Sequence, residues 1–229
     1  MIQKAHYQFI RQHPAFINLR TEHFDRLASD IKFRKSPKGQ IIFFEGDPRD
    51  RLFLLYKGYA RIEQYDQTAS YSYLDYAKEN SLFPYGGMFE DAAYHYTAVA
   101  VTDVEYFTIP VEAFEHFAKL EPKQLIHIVT ELSKILAFHE LRLRNATLAG
   151  ARDRVIQALS ILCLDFCKEK DYVPFAVSMI ELSRLAATTR ETVHQVIKKL
   201  KEEEKIRYER KMITFLDKTF FLETYQNGQ

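Results

Sequence analysis

No stretch of this 229-residue chain stays apolar for the roughly 18 residues that a bilayer-spanning helix needs. Its first residues, MIQKAHYQFIRQ, carry charges where a secretory leader needs an apolar core. A membrane partner is therefore excluded, and a cytoplasmic location is expected. Cysteine is scarce: there are two, Cys163 and Cys167. Four residues apart in a helical stretch, they form neither a disulfide framework nor a four-ligand metal site, and buried thiols are the plain reading. An excess of one charge sign is missing too, since 32 basic and 31 acidic side chains leave a formal net charge of +1. Bulk composition thus does not announce a nucleic-acid partner. The chain has no nucleophile motif, no phosphate-cradling loop and no convincing acid-base pair, which speaks against an enzyme. A cupin-like metal enzyme would need about three His or Glu ligands converging from strands. His95 is the lone histidine between residues 24 and 115.

What is present falls into three parts, and the length allows two domains with a core each. From about 31 to 110 the chain is rich in aromatic and β-branched residues, broken by PKG (37–39), EGD (45–47), KG (57–58) and YGG (85–87). Short strands and turns at this spacing predict a small antiparallel roll, with residues 1–28 as short helices at its edge. From about 111 to 147 the pattern turns helical. Leu125, Val129, Leu132, Leu136, His139, Leu143 and Ala146 alternate spacings of four and three, the pattern of a heptad seam. A buried core helix would give the same stripe; a dimer seam is the expected reading, with His139 as a polar residue that sets its register. After 150, RDRVIQALSILCLDFCKEK reads as an amphipathic helix and DYVPF as an extended piece in which Pro174 blocks helix. MIELSRLAA follows as a second helix, then a third, and KIRYERKMITFLD reads as a hairpin. The fold class is α+β: a β-roll domain over 1–121, a dimerisation helix over 122–149 and a winged helix-turn-helix over 150–229.

TTRETVHQVIKKL, residues 188–200, is the most specific stretch. Val193, Val196, Ile197 and Leu200 fall on one helical face, while Arg190, Glu191, His194, Gln195 and Lys198 share the other. Thr188 or Thr189 suits the N-cap, with Glu191 or Thr192 three residues on, and the exposed amides favour phosphate oxygens. Arg190 suits guanine O6 and N7, Glu191 the cytosine amine, and Gln195 adenine or a mixed contact. A capping Glu191 would not be free to read a base, and both roles stay open. The helix pair needs a small residue at its crossing; Ser183, followed by Ala186 and Ala187, supplies it. Ala187 is expected in a turn position that glycine prefers, at a cost of about 1 kcal/mol. Residues 184–211 hold nine basic and five acidic side chains, the local surplus that phosphate contacts require. Glu202, Glu203 and Glu204 fit in part the alternative of a solvated face laced with ion pairs. A winged helix that contacts protein instead of DNA is the rival function.

Both halves resemble one family. KGQIIFFEGDPRDRLFLLYKGYARI resembles the opening strands of a cyclic-nucleotide-binding β-roll, and IELSRLAATTRETVHQVIKKLKEEEKI resembles the DNA-binding motif of the CRP/FNR bacterial transcription regulators. The likeness covers nearly the whole chain. FPYGGMF (83–89) is similar to members from low-GC Gram-positive bacteria. The resemblance implies a homodimer held by the long helix through Val129, Leu132, Leu136, His139 and Leu143, and double-stranded DNA as the partner. It places base contacts at Arg190, Glu191, His194 and Gln195, with Thr189 and Thr192 near phosphate. Lys211, with Arg207 and Arg210, falls at the wing, where it would hold the DNA backbone. RNA polymerase is a further partner if the protein activates transcription.

The ligand pocket of that family is where the likeness fails. Nucleotide-binding members carry a glycine-glutamate pair before a pocket helix, and an arginine followed by Ser/Thr and Ala after it. Here Pro84 and Tyr85 replace the pair and Tyr96 replaces the arginine, while Thr97 and Ala98 remain. Burying a phosphate there without a cation is costly, so no cyclic AMP binding is expected. Tyr85, Tyr96 and Thr97 mark the candidate effector pocket. The cluster Phe83, Tyr85, Phe89, Tyr94 and Tyr96 reads either as a pocket for another molecule or as filled core. With no cysteine before Cys163, an N-terminal iron-sulfur cluster is excluded, and His95 is read as an ordinary histidine instead of a haem ligand. No cofactor or metal is expected.

Overall fold

Continuous apolar runs mark the strands that the fold buries on both faces. The computed structural model describes residues 2–65, 72–148 and 150–227, with side chains at all of these except 72, 144–148 and 226–227. Two compact units form, one from Met1–Gln64 and Asp75–Leu136, the other from Tyr65–Leu74 and Ala137–Gln229.

The first unit opens with α1 (Lys4–Gln12) and α2 (Thr21–Asp30). The strands β1 (Lys32–Ser36), β2 (Ile41–Phe43), β3 (Arg51–Lys57), β4 (Ala60–Tyr65), β5 (Ser72–Ala77), β6 (Leu82–Phe83), β7 (Thr97–Ala100) and β8 (Val104–Pro110) follow. They pair as two four-stranded sheets, ordered β1-β8-β3-β6 and β2-β7-β4-β5. α3 (Val111–Leu120) and α4 (Pro122–Leu148) as far as Leu136 close the run; the rest of α4, with Tyr65 and the first residues of β5, is part of the second unit. In β3, Leu52 and Leu54 pack with Phe16, Phe24 and Phe114 of the helical side, while Phe53 and Leu55 enter the second cluster with Phe43, Tyr94 and Ala98. β8 divides the same way, with Phe107 and Ile109 on one side and Val104 and Tyr106 on the other. The two-residue side-chain period sends each half of an apolar run to a different core. The turn after β3 needs glycine: Gly58 has φ 85°, and a Cβ there would lie 2.4 Å from the carbonyl oxygen of Asp103.

The second unit contains α5 (Ala151–Phe166), α6 (Met179–Leu185), α7 (Arg190–Glu202), the hairpin β9 (Ile206–Glu209) and β10 (Met212–Phe215), and α8 (Lys218–Asn227). Val155, Leu159, Val193, Leu200, Phe215 and Phe221 are fully buried. The extended piece around Pro174 adds to the hairpin: the Phe215 amide donates to the Asp171 carbonyl at 2.6 Å and the Val173 amide to Ile213 at 3.0 Å. Cys163 and Cys167 are buried thiols. Their shared hydrogen bond pushes Cys167 up, with burial adding to it, and pulls Cys163 down.

Two features go beyond the expected elements. α8 packs Phe221 edge-on against Phe215 at 4.8 Å, and α6 starts with a full capping box. The Ser178 hydroxyl accepts from the Glu181 amide at 3.2 Å, and the Glu181 carboxylate accepts from the Ser178 amide at 2.7 Å. Ser178→Ala should therefore lower the unfolding free energy by about 1 kcal/mol, read by urea titration.

Candidate nucleic-acid interface

α7 is anchored from beneath and bare on top. Val193, Val196, Ile197 and Leu200 are buried, whereas Arg190, Glu191, His194 and Gln195 are exposed. Thr189 is the N-cap: its hydroxyl accepts from the Thr192 amide at 3.2 Å and lies 3.1 Å from the Thr192 hydroxyl. The choice between Thr188 and Thr189 is thereby made. Glu191 makes no capping contact, so its carboxylate stays on the open face. Among the described residues, no side-chain hydrogen bond or ion pair holds Arg190, Glu191, His194 or Gln195. Lys198 and Lys199 reach Glu202 and Glu203 only at 3.9 and 3.8 Å on the open surface, pairs that bind their lysines weakly.

The turn that sets α7 against α6 is tight. Ala187 has φ 46°, the left-handed conformation expected of it. Ala186 is the small residue buried beside the turn, while Ser183 is half-buried and donates its hydroxyl to the Ile180 carbonyl at 2.8 Å. The crossing thus rests on Ala186 more than on Ser183. Arg154 of α5 braces the turn, donating from Nε to the Ala186 carbonyl at 3.1 Å and from Nη2 to Ala187 at 3.3 Å.

Past α7, β9 and β10 pair with Met212 opposite Glu209, which leaves a two-residue turn of Arg210 and Lys211. Their φ values are 50° and 67°. Two-residue hairpin turns of this hand favour Asn-Gly, because both central positions need positive φ. Here both carry long cations, exposed at the tip of the wing. The dipeptide gave little sign of a hairpin turn in the sequence.

α4 carries the remaining predicted positions and divides them. Val129, Leu136 and Leu143 are 58, 59 and 68 % exposed, and Ile126 is 67 % exposed. Leu125 and Leu132 turn the other way, packing against the core of the first unit. His139 is half-buried, its ring 5.6 Å from that of Tyr73. The open apolar stripe is therefore Ile126, Val129, Leu136 and Leu143, without Leu132 and His139; the side chain of Ala146 and the residue at 149 lie outside the described residues.

Two family models match this chain, in order: a cyclic nucleotide-binding domain over residues 33–120 and a Crp-like helix-turn-helix domain over residues 153–220. The chain belongs to the CRP/FNR family of DNA-binding transcription regulators. Among its relatives, the global nitrogen regulator of Synechococcus elongatus is 28% identical over 192 residues, covering 80% of this chain and 85% of that protein. The HTH-type transcriptional regulator ArcR of Staphylococcus epidermidis is 27% identical over 197 residues, covering 84% and 86%. The solved structure of FixK2 from Bradyrhizobium japonicum shares the fold, with a TM-score of 0.72 at 14% identity, covering 85% of this chain and 96% of that one.

In this CRP/FNR regulator aromatic rings pack together inside the roll. Phe43 stacks on Tyr94 at 4.0 Å and on Phe53 at 5.0 Å, and Phe83 and Tyr96 close around the same rings. Burial pushes the Tyr94 phenol up to about 12 and Tyr96 further up. Tyr85 and Phe89 pack instead on the helical core, so the five aromatics do not line one pocket. The Thr97 hydroxyl already accepts from the Glu45 amide at 3.1 Å. A buried cation does exist nearby, one the sequence left unmarked: Arg49 donates to Glu115 at 2.8 Å. Glu115 also accepts from the Phe89 amide at 3.0 Å, so the arginine's charge is matched by a carboxylate that ties down the 84–90 segment. His95 is exposed and meets Asp91 at 2.9 Å. Among the described residues, no cluster of His, Cys, Asp and Glu is arranged to hold a metal, and no helix is long and apolar enough to cross a membrane.

Proposed function

We propose that this regulator binds an inverted repeat in duplex DNA as a homodimer, without cyclic AMP. The observation that carries the reading is the open face of α7, where Arg190, Glu191, His194 and Gln195 stand exposed at a capped helix start with no side-chain hydrogen bond or ion pair among the described residues. A helix presented this way enters the major groove with its first residues on base edges, and two-fold partners then sit about 34 Å apart on successive turns. Thr189 and Thr192 lie where phosphate oxygens approach the helix N-terminus. Arg207, Arg210 and Lys211 hold the backbone beside it. The exposed stripe of α4 supplies the self-complementary surface that a two-fold interface requires. The filled roll and the matched charge of Arg49 support independence from cyclic AMP. The protein works in the cytoplasm, performs no catalysis, and contacts RNA polymerase where its site lies in an activating position.

Selection of genomic fragments by the purified protein, at two salt concentrations, tests this reading. Recovery of a palindrome whose affinity falls steeply with salt is the expected result. A winged helix that contacts protein would recover no palindrome.

The wing supports a separate expectation. Left-handed conformation costs a non-glycine residue roughly 1–2 kcal/mol, and both wing-tip cations bear it. Arg210→Asn with Lys211→Gly should raise the unfolding free energy by roughly 1–2 kcal/mol. The same pair should flatten the salt dependence of DNA binding by about two counterions per subunit. A protein both more stable and weaker on DNA would show that the strain is retained for the phosphate contacts.

A further inference from the structure

The two cysteines of the chain meet at one place, the end of α5. Cys163 lies in its last turn and Cys167 is its C-cap, the Cys167 amide donating to the Cys163 carbonyl at 2.9 Å. Residues four apart share a helix face. The thiols turn inward together: each residue is 2 % exposed, and the two side chains share a hydrogen bond. Packing as a small hydrophobe explains one buried cysteine, but it does not require the whole complement of thiols to face each other. A cation stands beside the pair. Lys218, the first residue of α8, donates from Nζ to the Cys167 carbonyl at 3.1 Å and meets Asp171 at 2.9 Å. Its charge favours the thiolate form of both sulfurs, and the exposed Asp171 carboxylate opposes it more weakly.

The donor set narrows the ligand. Among the described residues, no three His, Cys, Asp or Glu groups converge, so an ion that needs a shell of three or four protein ligands, Zn²⁺ above all, finds none. The spacing of the cysteines excludes a four-ligand site and leaves a two-ligand one. A soft, closed-shell monovalent cation prefers thiolate sulfur, and two sulfurs complete its coordination.

We propose that Cys163 and Cys167 form a two-coordinate site for Cu(I). One cation takes the place of both thiol protons, which leave to solvent, and each sulfur gives one electron pair to the ion. Copper stays in the monovalent state throughout. The resulting dithiolate complex carries one negative charge, which Lys218 offsets, and the burial of both sulfurs keeps water from the ion. Binding needs neither DNA nor a second subunit.

Transfer of Cu(I) to the full-length protein from the chromogenic chelator ferrozine, without oxygen and with the thiols reduced, tests the site. One equivalent per chain is expected to leave the chelator. X-ray absorption by the bound copper should show two sulfur neighbours and no nitrogen or oxygen, a readout from the parent protein that no variant's folding can disturb. Zn²⁺ in about tenfold excess should leave the copper in place. Cys163→Ala and Cys167→Ala should each weaken binding at least about a hundredfold, with circular dichroism of the metal-free variants separating lost binding from lost folding. The proposal is overturned if ferrozine keeps its copper, if the bound ion has nitrogen or oxygen neighbours, if Zn²⁺ displaces it, or if a folded variant lacking either thiol retains the parent's affinity.

Discussion

Leu136→Glu should leave the protein folded, make it monomeric, and remove its binding to an inverted repeat at concentrations where the parent saturates. Folding survives because Leu136 is 59 % exposed in the single chain and stands outside both cores of the first unit. In the proposed dimer the two-fold axis that joins the stripes brings the two new carboxylates near each other, so association should fail. Each carboxylate would have to be desolvated on an apolar stripe, which costs several kcal/mol. A monomer then holds one half-site, and the second recognition helix no longer gains from effective concentration, a factor of about 10²–10⁴. Light scattering gives the mass, circular dichroism the fold, and gel shift the DNA binding. Leu132→Glu is the contrast: Leu132 packs on the core of its own unit, so that substitution should unfold the domain first. A Leu136→Glu protein that stays dimeric would place the interface off this stripe.

That contrast shows how far the heptad pattern carried. A spacing of four and three locates an apolar side of a helix, but a helix packed on its own domain buries part of that side itself. Leu125 and Leu132 satisfy the intrachain core, and Ile126, one residue from the expected seam, is open. The pattern cannot divide the two roles, because both want leucine. The strands were legible for a stronger reason. Turn residues break the chain at the right intervals, and runs such as Leu52 to Leu55 leave little choice but a strand buried on both faces. α7 was legible because its buried residues are aliphatic, its exposed ones polar and its cap a threonine.

Other features were hidden by chemistry that local reading does not see. The Arg49–Glu115 pair joins positions 66 residues apart, and neither residue sits in a pattern that announces burial. Ser178 and Glu181, by contrast, present a capping signature three residues apart that could have been read before the MIELSRL helix. The wing turn contradicts its local preference, since Arg210 and Lys211 occupy conformations that favour asparagine and glycine. Departures of that kind concentrate at functional positions, where a side chain is needed in spite of the backbone's cost. The substitutions at Pro84, Tyr85 and Tyr96 were plain in the sequence. The stacking of Phe43 on Tyr94, which fills the roll, was not, because Phe43 and Tyr94 come from separate parts of the chain.

Arg190→Ala should weaken the selected palindrome strongly and relax selection at one base pair in each half-site. Arg190 is the first residue of α7, directly after the Thr189 cap, and its guanidinium is exposed with no carboxylate among the described residues holding it. A side chain so placed can present two parallel donors to guanine O6 and N7, an arrangement no other base pair offers in the major groove. Losing one such contact costs about 1–3 kcal/mol, and a dimer loses two, so about 2–6 kcal/mol is expected on the palindrome. The fold should not change, since the buried face of α7 is Val193, Val196, Ile197 and Leu200. Arg190→Lys separates charge from geometry: lysine keeps the phosphate attraction but lacks the planar fork, so it should recover salt-dependent binding without the base preference. If Arg190→Lys selected the same base pair as the parent, the residue would be acting through phosphate, and the base contact would pass to Glu191 or Gln195. If Arg190→Ala bound as tightly as the parent, this face of α7 would not be what the protein lays into the groove.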